Sequence, residues 1–78
     1  METLYDVQQL FKQFGLYIYV GKRIYDIELM AIELQKLFEA RLIDRETYFT
    51  ARGILNREHR IEESREDFED GRKENHWD

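Results

Sequence analysis

Between Gly15 and Tyr25 the chain sets three tyrosines, Tyr17, Tyr19 and Tyr25, beside two cations, Lys22 and Arg23. Lys12 precedes them, and Arg45, Phe49 and Arg52 repeat the two residue types on what should be the outer side of a third helix. Aromatic faces stack nucleobases while cations follow the phosphate backbone, each stacked base contributing about 1 to 3 kcal/mol. Such a pattern suits single-stranded nucleic acid, with Tyr17, Tyr19, Lys22, Arg23, Lys12 and Arg52 as the candidate contacts. The plain alternative is that Tyr17 and Tyr19 close over the core and meet no ligand.

Other chemistries find less support in the residues. Gly15 to Arg23, GLYIYVGKR, contains a glycine, a spacer and GK. A phosphate-cradling loop needs four small or flexible residues before GK and a hydroxyl after it to hold magnesium, whereas here five bulky residues precede it and Arg23 follows. His59 could share a metal with Glu62 or Glu63, but two groups on a solvated helix do not make a site, and His76 stands apart near the C-terminus. The acidic run Asp67 to Gly71 lacks the alternating ligands and distal glutamate of a calcium loop. There is no cysteine, and the pairings of Ser64 with His59 or His76 fall in an exposed tail. Neither an enzyme, a metal, a cofactor nor a small-molecule substrate is expected.

Charge narrows the partner further. The 78 residues carry a net charge of -5. Affinity for duplex nucleic acid rests on neutralising phosphates, so an acidic chain is a poor general polyanion binder. The distribution matters more than the total: residues 1–55 hold 7 basic and 8 acidic side chains, while residues 56–78 hold 5 and 9. The negative charge therefore belongs mainly to the tail. The N-terminus lacks the basic and apolar segments of a signal peptide, and the longest apolar run, Leu16 to Val20, is far short of the roughly 20 residues of a membrane span. The expectation is a cytoplasmic protein without a membrane partner.

The elements that must position these residues follow from periodicity. Thr3 is a helix N-cap with Asp6 in the first turn, Leu4, Val7, Leu10, Phe11 and Phe14 form a narrow apolar face, and Gly15 is the expected left-handed cap. LYIYV, residues 16–20, alternates in the manner of an extended segment, with Leu16, Ile18 and Val20 on one side. No second strand-like segment exists to pair with it, so it should be a connector resting its aliphatic side on the helices, unless it pairs with its own copy in a dimer. The longest helical pattern runs from Ile24 to Ile43, with Ile24, Ile27, Met30, Ala31, Leu34, Leu37, Phe38 and Leu42 on one broad face. That breadth calls for neighbours on both flanks. Asp44 caps a third helix, forming an antiparallel hairpin with the second, and core packing is expected to stop near Leu55. The prediction is an all-α three-helix bundle, helices about 3–14, 24–42 and 45–65, with an extended connector at 16–23. Residues 1–60 form the domain, and 61–78 a charged helical extension fraying to an acidic, disordered tail.

Two apolar stripes lie off the main face. Tyr25, Leu29 and Ile32 recur along the central helix, where they would either receive the LYIYV connector or remain open to a partner. Ile54, Ile61 and Phe68 recur at seven-residue spacing, too sparse for a coiled coil. A protein-interaction or homo-oligomerisation module using Tyr25, Leu29, Ile32, Ile54 and Ile61 is the second functional expectation.

The residues YDVQQLFKQFG (5–15), IYVG (18–21) and above all DIELMAIEL (26–34), followed by the hairpin through Leu42 and the Tyr48 region, resemble the YqgQ-like family of small proteins from Bacillus and related Firmicutes. The likeness spans roughly residues 3–60. It implies a three-helix bundle, a cytosolic location and no catalytic residues. It also implies an otherwise uncharacterised role, for which single-stranded nucleic acid binding has been proposed. The acidic stretch from about Ile61 is longer than the family core needs.

Overall fold

Thr3 starts the first helix, α1 (Leu4–Lys12), by a reciprocal exchange of hydrogen bonds. Its hydroxyl accepts the Asp6 amide at 3.2 Å, while Asp6 Oδ2 accepts the amides of Thr3 at 3.1 Å and Glu2 at 2.7 Å. The computed structural model describes the backbone of residues 1–70 and side chains through Arg65. Leu4, Val7 and Phe11 are buried, and Leu10 and Phe14 pack half-buried beside them. The helix unwinds through Gln13 and Phe14, and Gly15, at φ 74°, closes it. The Gly15 amide donates to the Lys12 carbonyl and the Leu16 amide to the Phe11 carbonyl, the paired bonds of a left-handed C-terminal cap.

The connector then lies as alternation predicts for two of its three aliphatic residues. Leu16 and Ile18 pack on the core, but Val20 is exposed. Its backbone is instead pinned: the Val20 amide donates to Asp26 Oδ1 at 2.6 Å. Gly21, at φ 106°, turns the chain into α2 (Arg23–Glu39), a conformation that a side chain would strain.

Helix α2 buries Ile24, Ile27, Met30, Ala31, Leu34 and Leu37, as expected. It ends three residues earlier than the apolar pattern suggests. Arg41 adopts φ 64°, with the Arg41 amide donating to the Phe38 carbonyl and the Leu42 amide to the Leu37 carbonyl. This is the same type of cap as at Gly15, formed without glycine, and it turns Leu42 out of the core into solvent. Asp44 accepts the Thr47 amide at 2.8 Å and opens α3 (Arg45–Asp70). Tyr48 stacks on Phe38, ring centres 4.4 Å apart, which locks the hairpin near its turn.

Three expectations for α3 are corrected. Ile54 is buried in the core and cannot serve a partner. Core packing does not stop at Leu55, because His59 is also buried, 1% exposed. Its Nε2 lies 2.8 Å from Glu28 Oε2 on α2, a pairing that offsets part of the penalty of burying an imidazole among apolar side chains. The helix also continues to Asp70, five residues beyond the predicted end. At about 1.5 Å per residue its 26 residues span about 39 Å, matching the molecule's 40 Å long axis. Phe68, His76, the Asp67–Gly71 run and the expected disorder of 71–78 lie outside the described side chains or residues.

Among the described residues the architecture is an all-α three-helix bundle with no strand. The second and third helices form the hairpin, but α1 does not flank α2 as its breadth suggests. No Cα of α1 comes within 8 Å of one in α2, whereas α1 does approach α3. Arg57 Nη2 on α3 donates to the Glu2 carbonyl at 2.8 Å, tying the start of α1 to α3. Side chains of all three helices still meet in one core.

Candidate functional site

With α1 drawn to α3, a furrow opens where α1 faces the connector and the start of α2. Two clefts of about 290 Å³ each occupy it. In the first, Tyr5, Gln8, Gln9 and Lys12 from the outer face of α1 stand opposite Tyr17 and Tyr19 of the connector. Its floor is apolar, formed by Phe11, Leu16, Ile18 and Met30. The second cleft is bounded by Gln8, Tyr19, Gly21, Arg23 and Asp26, over Leu4 and Met30. Gln8, Tyr19 and Met30 belong to both, so Tyr19 stands between the two.

Tyr17 is 74% exposed and Tyr19 83% exposed, so neither closes over the core. The alternation places them there: Leu16 and Ile18 anchor one side of the extended segment, and the tyrosines take the other. Lys12 joins both tyrosines at the first cleft, and Arg23 joins Tyr19 at the second. Lys22 is exposed at the N-cap of α2, its ammonium 5.7 Å from the centre of the Tyr25 ring. That distance is within cation–π range. Arg52 is not brought to this furrow; it lies half-buried on α3 and lines neither cleft.

Four residues of the furrow escape a reading of the sequence. These are Tyr5, Gln8, Gln9 and Asp26; the first three recur with the predicted Lys12 at three- and four-residue steps on the solvent side of α1, a signal that was available but looked like an ordinary polar face. Asp26 stands in the first turn of α2. Its bond to Val20, six residues earlier, is what sets it at the cleft edge.

Elsewhere, Tyr25, Leu29 and Ile32 are exposed along α2, so of the two expected arrangements the stripe is open and not covered by the connector. Ile61 on α3 is exposed as well. Burial of His59 removes it from the solvated face where a metal was considered, and its Nδ1 lies 3.9 Å from Glu63 Oε1. Among the described residues, no three potential ligands are grouped to hold a metal, and no helix is long and apolar enough to cross a membrane. Two carboxyls are held below the usual aspartate range. For Asp6 the cause is the amide of Glu2 and then that of Thr3, and for Asp44 the bonds from Thr47.

The sequence profile of the YqgQ-like family matches residues 1–61. A Bacillus subtilis (strain 168) protein described as "Uncharacterized protein YqgQ" is 43% identical over 58 residues, covering 74% of this chain and 82% of the relative. The chain belongs to the YqgQ-like family.

Proposed function

We propose that this YqgQ-like protein is a non-enzymatic, cytoplasmic module that binds single-stranded nucleic acid along the furrow between α1 and the connector. The observation that carries the proposal is the pair of solvent-facing rings, Tyr17 and Tyr19, set beside Lys12 and Arg23. Exposed tyrosines expose apolar area that folding alone would bury, and bases stacked on them would cover it. Lys22 and Arg23 stand together at the start of α2, where both attract a phosphate. A duplex keeps its bases paired and stacked within the helix, where these rings gain nothing.

Fluorescence anisotropy with labelled oligo(U), oligo(dT) and a duplex tests this. Single strands should bind at low salt and the duplex should not, and Tyr19→Ala with Arg23→Ala should abolish binding. If neither single strand binds at low salt, or if the double variant binds unchanged, the proposal fails.

One observation favours a second reading, a protein-interaction or self-association module. Tyr25, Leu29 and Ile32 form an open apolar stripe on α2. On that reading light scattering finds a mass that rises with concentration, and Ile32→Glu restores the monomer. A constant monomer mass together with an empty pull-down excludes it.

A further inference from the structure

The two clefts that meet at Tyr19 are alike in size and differ in their polar groups. The first presents the amide side chains of Gln8 and Gln9 with Lys12, and no carboxylate. The second presents the Asp26 carboxylate, with Gln8 and Arg23 at its margin. We infer that the second cleft is a nucleobase subsite in which Asp26, assisted by Gln8, selects guanine from a bound single strand. This rests on the single-strand reading given above.

Size and shape fit one base. About 290 Å³ lies at the lower end of small-molecule sites and is adequate for a single nucleobase. Tyr19 lines one side, and the buried Leu4 and Met30 supply an apolar floor. Gly21 contributes only backbone to the margin.

Asp26 carries the selectivity. Its Oδ1 accepts the Val20 amide at 2.6 Å, which fixes the carboxylate in position before any ligand arrives. An ionised carboxylate has about four lone-pair directions, so one such bond leaves it able to accept more. Among the common bases only guanine offers two adjacent donors, N1–H and N2–H, on its pairing edge, a match for the two oxygens of a carboxylate. Adenine and cytosine each present one amino donor next to a ring nitrogen acceptor. Uracil and thymine present one N–H between two carbonyl oxygens, which a carboxylate repels. The Gln8 amide can donate to guanine O6. The same negative charge keeps phosphate out of this cleft and towards Arg23, so the base enters and the backbone stays at the rim.

The test uses the full chain and labelled strands of oligo(dT), the same strand with one central dG, and the same strand with inosine there. Inosine lacks the N2 amine and so removes one donor without altering the protein. The wild-type chain should bind the dG strand about tenfold tighter than oligo(dT), the scale of one good bidentate base contact. Inosine should forfeit most of that gain. Asp26→Asn keeps an oxygen to accept the Val20 amide but cannot accept two donors, and it should abolish the preference for the dG strand over oligo(dT). Gln8→Ala, an exposed position on α1, should reduce the dG preference by a smaller factor. Equal binding of dG and oligo(dT) by the wild type, or an undiminished dG preference in Asp26→Asn, overturns guanine selection and leaves single-strand binding standing. Failure of every strand to bind overturns both.

Discussion

His59 decides how far the core reaches along α3. Nε2 of the buried ring bonds Glu28 across the helix pair, so truncation would leave a cavity and strip a partner from the carboxylate. His59→Ala is expected to cost about 2 to 4 kcal/mol, measured by urea unfolding. A loss below about 0.5 kcal/mol would show that the ring is not part of the core. Arg41 makes the opposite prediction. A non-glycine residue at φ 64° costs about 1 kcal/mol or more, so Arg41→Gly should raise Tm by roughly 4 to 8 °C. Asp6 and Asp44 set the acid response. Both are held below the ordinary aspartate value when folded, so below roughly pH 4 the unfolded chain takes up protons first. Their contribution is complete above that value and is lost as pH falls through their lowered folded values. Asp44→Ser keeps a capping oxygen that does not titrate, and it should flatten the fall of Tm with acid. An unchanged acid slope would contradict the assignment.

At the scale of elements, what could be read from the chain was what local chemistry dictates. Thr3 with Asp6, Gly15 and Asp44 announce helix ends by residue type, and the structure uses all of them. The end of α2 was hidden because Arg41 does the work usually given to glycine, and nothing in Ala40-Arg41-Leu42 signals a left-handed turn. Burial of His59 was hidden because its partner Glu28 is 31 residues away, beyond any periodicity. The candidate furrow was half visible. Alternation in LYIYV separated Tyr17 and Tyr19 from Leu16 and Ile18, but the α1 wall became a wall only through tertiary placement. The Val20–Asp26 bond joins these elements, and its loss should be felt in the connector before the helices. Asp26→Ala should speed exchange of the Val20 amide by about tenfold or more in hydrogen-exchange NMR, with the core helices little changed. Equal acceleration in α2 and α3 would mean that Asp26 supports the whole fold.

Across the whole molecule, the packing of α1 on α3 is the choice that creates a furrow. Had α1 lain along α2, the connector would have had no gap to face, and the tyrosines no opposite wall. On the single-strand proposal, a net charge of -5 leaves attraction to a few local cations and not to the chain's overall field, so binding should be weak and its salt dependence modest. Three cations, Lys12, Lys22 and Arg23, imply a slope near -2 for log affinity against log salt on a single strand. The most direct test is therefore the anisotropy of labelled oligo(U) titrated with the wild-type chain and with the Tyr17→Ala, Tyr19→Ala double variant at two salt concentrations. The account predicts wild-type binding that falls about 20-fold between roughly 50 and 200 mM salt, and no binding by the double variant. Absence of binding by the wild type at low salt, or equal binding by the two proteins, would contradict it.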